Sequence, residues 1–381
     1  MTELNEGEVE QYRRHLSLQD FGLESQIKLN NSSVLVIGAG GLGCPVLQYL
    51  VAAGVGKIGI VDNDVIESSN LQRQILFDHD DIGSPKAKVA AAKLTRLNPF
   101  IKIHPIIERL KKENAEFLFG GYDLIVDGTD NFSSRYLIND ACILFEKPLI
   151  HGSIHLFEGM VSVFNFQGGP TYRCLFPEQP DSSSIPSCAE AGVLGVLPGI
   201  IGCMQAMEAI KVITGRGQPL SGKILSYNSL SNSTRIINLQ ALPQSREIKE
   251  LPDSCEPSRS DSSPKICLNK KIVEISEDEL REMMAKKKDL QILDVREDWE
   301  RLQSRIDPSL HQPLGTLVNS VPVSPLDCLI PEKEVVVYCK AGVRSRMACE
   351  ALQSIGFNHL FNLSPGMDGW MNMFPELTHR G

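Results

Sequence analysis

"SVLVIGAGGLGCPVLQYLVAAGVGKIGIVD", residues 33–62, decides the fold of the first half of the chain. Its opening run, SVLVIG (33–38), reads as a buried parallel strand, with glycines at 38, 40, 41 and 43 following it. CPVLQYLVAAG (44–54) reads as a helix ending at Gly54, and KIGIVD (57–62) as the next strand. Strand, glycine turn, helix and strand in that order open a doubly wound sheet. Outward from there, AKVAAAKLTRLNP (87–99) predicts a helix stopped by Asn-Pro, and DLIVDG (123–128) a strand. RYLINDACILFE (135–146) predicts a helix and KPLIHGS (147–153) a further strand. GVLPGIIGCMQAMEAIKVITG (195–215) is a second helix-rich run, followed by two strands at 223–228 and 233–239.

A chain of 381 residues is too long for one ordinary core, so two domains are expected. ALPQSREIKELPDSCEPSRSDSSPK (241–265) is rich in Pro, Ser and charge, and reads as part of a linker over 241–270. An α/β pattern restarts at 271. It has a helix near 277–288, strands QILDV (291–295) and VVVYC (335–339), a helix near 345–355 and a terminal strand near 360–363. The expected fold class is therefore α/β: a doubly wound, Rossmann-like domain over 1–240, then a small α/β domain over 271–381.

The net charge of −9 argues against nucleic acid as the main partner and suits a basic protein partner. No run reaches the roughly 18 consecutive apolar residues of a membrane-spanning helix. The polar start, MTELNEGEVEQYRRH, has no apolar signal region. These features lead to the expectation of a cytoplasmic protein without membrane association. The ten cysteines are then expected to be reduced, each one core filler, metal ligand or nucleophile.

Gly38, Gly40, Gly41 and Gly43 lie between a strand and a helix, where backbone amides approach phosphate oxygens and the helix start favours negative charge. Asp62 ends the next strand, placed to accept from ribose hydroxyls. A dinucleotide would be the default ligand. DNDVIESSNLQRQ (62–74) adds Asn70 and Arg73, and Lys86 follows, a cationic set beyond what a dinucleotide needs. Asp130, in DGTDNFSSR (127–135), falls after a strand and suggests a Mg²⁺ ligand near triphosphate-binding cations.

GAGGLG (38–43), DNDVIESSNLQRQ, GSPKA (83–87) and DGTDNFSSRYLIND (127–140) resemble the MoeB/ThiF adenylyltransferases, relatives of ubiquitin-activating enzymes, over about residues 8–240. In that family ATP activates the C-terminal glycine of a small ubiquitin-like sulfur carrier protein. The resemblance implies ATP or Mg²⁺ contacts from the glycines, Asp62, Ser69, Asn70, Leu71, Gln72, Arg73, Lys86, Asp130 and Asn131. Arg14, in QYRRHL, matches an arginine that reaches the nucleotide of a partner subunit, which implies a homodimer.

SSIPSCAEAGVLG (183–195) puts Cys188 in a Ser/Pro-rich loop before a helix, whose start favours a thiolate. The segment also resembles the family's C-A-E-A-G stretch, whose cysteine bonds to the carrier or its sulfur. Cys142 and Cys203, on apolar helices, read as core. Relatives carry two C-x-x-C pairs that bind structural zinc. Here the first reads TYRC (171–174), with Thr171 in place of cysteine, and ALPQSREIKE has no cysteine where the second would fall. No zinc is expected; Cys174 is expected near the surface, with apolar contacts stabilising that lobe.

YCKAGVRSR (338–346) puts Cys339 at the end of a strand and the head of a short loop, with a helix expected from Ser345. Loop amides, the helix dipole, Lys340 and Arg344 would favour a thiolate and an anionic persulfide. Four residues separate Cys339 from Arg344, one fewer than in phosphotyrosine phosphatases, and the shorter ring suits a sulfur atom. LDVRE (293–297) and NLSPGMDGW (362–370) resemble the rhodanese family, over about 271–378. The resemblance weakens at 305–327, where a Gly-His-Ile-Pro-Gly-like segment is absent.

Together the halves resemble the adenylyltransferase/sulfurtransferases that serve molybdopterin synthase. ATP would adenylate a carrier with a Gly-Gly terminus. Cys339 would take sulfur from thiosulfate or a cysteine desulfurase, and the carrier would leave as a thiocarboxylate for molybdopterin, thiamine, tRNA thiolation or cysteine pathways. Two other readings stay open: an ATP-binding scaffold carrying an active rhodanese, and a ubiquitin-type thioester-forming activator without sulfur transfer.

Overall fold

The strand read from SVLVIG is β1, Ser33–Ile37, in a computed structural model that describes residues 4–179, 192–251, 272–286, 289–319, 329–331, 333–354 and 356–379. Its side chains alternate between two cores, as the period of two in a strand requires. Val34 and Val36 join Leu47, Leu50 and Leu94 on one face of the sheet. Leu35 and Ile37 join Phe119, Tyr136 and Ile138 on the other. A strand buried on both faces reads as an unbroken apolar run, which is why this one was legible.

The chain divides into two units, Met1–Arg259 and Ser260–Gly381. In the first, β1 is joined by β2 (Lys57–Val61), β3 (Lys102–Ile106), β4 (Leu124–Asp127), β5 (Leu149–His155), β6 (Glu158–Phe164), β7 (Lys223–Asn228) and β8 (Ser233–Asn238), in the order β3-β2-β1-β4-β5-β6-β7-β8. The first five are parallel and the last three antiparallel. Strand order reverses between β1 and β4, so their carboxyl ends open a crevice. The sequence reading missed β3 and β6. β3 is an edge strand whose side chains are mostly half-buried or exposed, so it lacks the apolar run that marks its neighbours.

The helix Val196–Thr214 is long and apolar enough to cross a membrane by length and composition alone. Here it packs on β5, β6 and the helix Gly43–Ala53, with Leu197, Ile201, Ala206 and Ala209 buried. Gln205, also buried on it, donates to the Asp127 carbonyl at 2.7 Å.

The second unit holds β9 (Val273–Ile275), β10 (Gln291–Asp294), β11 (Arg305–Ile306), β12 (Leu310–His311), β13 (Val335–Tyr338), β14 (Leu360–Leu363) and β15 (Thr378–His379). Its main sheet is parallel, in the order β12-β10-β13-β14-β9. One core holds Leu293, Val337, Ala348 and Leu352; the other holds Tyr338, Leu363, Met367 and Trp370.

Residues 241–251, read from composition as the start of the linker, pack on the first unit. Arg246 donates to Asn165 Oδ1 at 2.8 Å and to the Gly169 carbonyl, Ser245 is buried, and Leu251 joins the core beside Phe164 and Tyr172. Polar composition misled there because a few hydrogen bonds and one buried leucine suffice to anchor the segment.

Candidate active sites

At the carboxyl ends of β1 and β4 lies a cavity of about 550 Å³. Its floor depends on Gly38, which adopts φ +96°; a Cβ there would sit 2.8 Å from the Gly128 carbonyl oxygen. Only glycine lets the two loops close on each other at that point. Gly40, Gly41, Asp62, Asn70, Arg73, Lys86, Asp130 and Asn131 also line the cavity.

Asp62 is held from two sides: Oδ2 accepts from the Ala39 amide at 2.7 Å, and Oδ1 from the Asp64 amide at 2.8 Å. Burial pushes its carboxyl up, against the Ala39 amide and the Lys86 charge. Lys86 is nearly buried and pairs with Asp64 at 2.9 Å. Arg73 reaches the Ser69 carbonyl through Nη1 at 3.0 Å, which ties the cation to its own helical turn. Asn131 caps the helix Phe132–Leu144, its side chain accepting from the Ser134 amide at 2.9 Å. Asp130 is exposed to the cavity and makes no hydrogen bond or ion pair among the described residues.

Other residues named from the sequence lie around the cavity without lining it. Ser69 positions Arg73, and Leu71 is half-buried against the core. The Gln72 carbonyl approaches Gly195, and Gly43 packs on Gly38. Arg14 is exposed on the helix Arg13–Leu16, outside its own chain's cavity. Cys188 lies outside the described residues. Sequence reasoning missed Asp64, the partner of Lys86, and Arg135, a buried arginine that lines the cavity and donates to the Thr129 carbonyl at 3.3 Å. Both stood inside the quoted motifs; nothing in spacing alone marks which acid or base turns inward.

Cys174 needs a correction. It is buried, and hydrogen bonds hold its sulfur, while the lobe around it carries the expected apolar contacts from Tyr172, Leu175, Phe176 and Leu251. Its sulfur accepts from the amides of Thr171 and Leu242, each at 3.3 Å, and lies 3.0 Å from Ser245 Oγ and 3.6 Å from Thr171 Oγ1. Thr171 Oγ1 in turn donates to Ser245 Oγ at 2.9 Å. Burial alone would push the Cys174 thiol up, yet these donors outweigh it and hold the thiol below its ordinary range. One sulfur with hydroxyl neighbours does not fit a tetrahedral zinc site. Among the described residues no group of three or more His, Cys, Asp or Glu could hold a metal ion. Cys142 is fully buried, as read; Cys203 is only half-buried.

In the second unit Cys339 follows β13 and is buried. The helix after it begins at Val343, two residues earlier than expected, so Arg344 stands in its first turn. Gly342 makes this possible: φ is +87°, and a Cβ would lie 2.0 Å from the Ser364 carbonyl oxygen. The loop is tied down by Met367 and Asp368 amides donating to the Cys339 and Lys340 carbonyls, at 2.8 and 3.0 Å. That explains NLSPGMDGW as a support for the loop. Ser345 Oγ lies 3.4 Å from Cys339 Sγ. Arg344 forms two bonds to Glu300, Nη1–Oε2 at 2.7 Å and Nη2–Oε1 at 2.8 Å. Neither Ser345 nor Glu300 was singled out from the sequence, because their roles depend on tertiary neighbours.

A glycine-floored cavity at a strand-order switch, lined by Arg73, Lys86, Asp62 and Asp130, defines a nucleotide-binding α/β unit; a buried cysteine heading a glycine-bent loop defines a sulfur-handling one. Family comparison agrees with both. Residues 12–248 match the ThiF family, and residues 276–373 match the rhodanese-like domain. The chain belongs to the ThiF family and carries a rhodanese-like domain at its C-terminal side. It is 42% identical over 383 residues to the probable adenylyltransferase/sulfurtransferase MoeZ of Mycobacterium tuberculosis, covering 98% of this chain and 96% of that one. It is 49% identical over 242 residues to the sulfur carrier protein adenylyltransferase of Thermus thermophilus, covering 62% of this chain and 89% of that one. E. coli MccB, solved with AMPCPP and MccA, superposes with a TM-score of 0.54 at 25% identity, covering 61% of this chain and 72% of that one. The protein is an adenylyltransferase and sulfurtransferase.

Proposed function

We propose that the first unit adenylates the C-terminal glycine of a small ubiquitin-like sulfur carrier protein, and that Cys339 then supplies sulfur to make a thiocarboxylate. The observation that carries this reading is the pairing, on one chain, of the cationic cavity with the cysteine loop. The name of the Thermus relative supports a sulfur carrier as substrate.

In this reading a carboxylate oxygen of the carrier attacks the α-phosphorus of ATP. The bond to pyrophosphate breaks, and an acyl-adenylate remains. Arg73 and Lys86 offset the charge that builds on the phosphates. Lys86 is neutralised in part by Asp64 before ATP enters, so a buried cation is never left unpaired. Mg²⁺ fits the same cavity, since Asp130 presents a carboxylate with no protein partner among the described residues. Asp130 would hold the ion, which would neutralise phosphate charge.

The terminal sulfur of a Cys339 persulfide attacks the acyl carbon, and AMP leaves with the electron pair. The resulting acyl disulfide is opened by a second thiol, Cys188 in this account. The thiocarboxylate departs and a disulfide remains, which an external thiol reduces. The sulfur donor is thiosulfate or a cysteine desulfurase. A second copy of the chain contributes Arg14 to the cavity, and the enzyme works in the cytoplasm. The pathway served is one of molybdopterin, thiamine, tRNA thiolation or cysteine synthesis; capture of the carrier by a Cys188→Ala, Cys339→Ala variant identifies it. ATP–pyrophosphate exchange with the purified carrier tests the first step, and absence of exchange refutes it.

A further inference from the structure

The loop at Cys339 carries two cations, yet only one presents its charge undiminished. Lys340 is exposed. The Arg344 guanidinium meets Glu300 in a two-bond fork, at 2.7 and 2.8 Å, and both side chains are largely buried, at 14% and 9% exposure. Glu300 is fixed a second time, since Oε2 also accepts from the Glu297 amide at 3.0 Å. Arg344 stands in the first turn of the helix that closes the Cys339 loop. A guanidinium matched to a carboxylate in this way is oriented, and its field at the sulfur is close to that of a neutral pair.

We propose that Glu300 is a specificity-determining residue: by positioning Arg344 and cancelling its charge, it biases Cys339 toward sulfane donors carrying at most one negative charge and away from small dianions. This rests on the reading of Cys339 as the sulfur carrier. The chemistry is the same for both donor classes. The Cys339 thiolate attacks the outer sulfur, the sulfur–sulfur bond of the donor breaks, and sulfite or a sulfinate leaves with the electron pair. Charge balances in each case, so the donors differ in approach rather than in bond-making.

The test measures kcat/KM for persulfide formation at Cys339 with thiosulfate, a dianion, and with methanethiosulfonate, a monoanion, in the full-length protein. Glu300→Gln keeps the shape and removes the charge. An uncancelled guanidinium attracts a dianion about twice as strongly as a monoanion, on the order of ten-fold against about three-fold in rate for a solvent-screened charge. The thiosulfate-to-thiosulfonate ratio is therefore expected to rise about three-fold. The double variant Glu300→Gln, Arg344→Gln removes both charges and is expected to return the ratio toward the wild-type value. Because the ratio is taken within one preparation, partial loss of folded protein cancels. An unchanged ratio in Glu300→Gln, with both donors slowed alike, overturns the proposal and leaves Glu300 a merely structural partner. A wild-type protein that loads Cys339 from neither small donor overturns this proposal, and one that also fails to load it from a cysteine desulfurase with cysteine refutes the sulfur-carrier reading itself.

Discussion

Arg73 and Lys86 line one cavity but are held differently, and the difference sets what each substitution does. Among the described residues Arg73 is tied to the Ser69 carbonyl, whereas Lys86 is nearly buried against Asp64. Arg73→Ala is expected to lower ATP–pyrophosphate exchange by about 10²–10³-fold while leaving the fold intact. Lys86→Ala removes a nearly buried side chain and its packing, with the exposed Asp64 carboxylate left to water, and is expected to cost stability as well, read as a lower Tm. Glu300 gives a pH signature. Burial raises its carboxyl, but the Arg344 bonds and the Glu297 amide outweigh burial, so its folded pKa lies below the unfolded value. Its stabilising effect is complete above the unfolded value of about 4.3 and is lost as pH falls through the folded pKa. Glu300→Gln should flatten the acid limb of a Tm-against-pH curve below about pH 4.3; an acid limb identical to wild type contradicts the pairing. At this scale the motif residues Gly38, Asp62 and Asp130 were legible because backbone approach and strand-end position restrict which residue can stand there. Asp64, Arg135, Ser345 and Glu300 were not, since their contacts arise only when distant or inward-turning segments meet.

Among elements, the turn at 243–246 and the short helix Tyr172–Leu175 are joined by the Thr171, Cys174 and Ser245 cluster. Ser245 Oγ also donates to the Leu242 carbonyl at 2.7 Å, so it is the hub of the contact. Ser245→Ala is expected to cost about 1–3 kcal/mol, or roughly 3–10 °C of Tm in the first unit. Prolonged treatment with a chelator should leave Tm unchanged; a fall, with stoichiometric zinc released, would contradict a clamp made of hydrogen bonds. The reading of 241–251 as linker failed for the same reason that Cys174 was misplaced: a few polar contacts, joined at Leu251 by one apolar one, are invisible in composition and anchor the segment. The buried strands β1, β2 and β4 were found because burial on both faces leaves a nearly unbroken apolar run, whereas β3 at the edge keeps its Lys102 and His104.

For the whole molecule, the claim is a division of labour between two units with separate cores. In the proposed function the activated acyl group forms at the switch-point cavity, and the sulfur rides on the loop that Gly342 bends. Substitutions should therefore separate cleanly: Cys339→Ala is expected to keep pyrophosphate exchange within about two-fold of wild type, since Cys339 belongs to the second unit and packs in that unit's own core. The most direct test is the mass of the carrier after one turnover with ATP and a sulfane donor, for wild type and for Cys339→Ser. Wild type is expected to yield a carrier about 16 Da heavier, one oxygen replaced by sulfur, while Cys339→Ser yields acyl-adenylate and no mass gain from sulfur. A thiocarboxylate formed at the wild-type rate by Cys339→Ser would contradict the account.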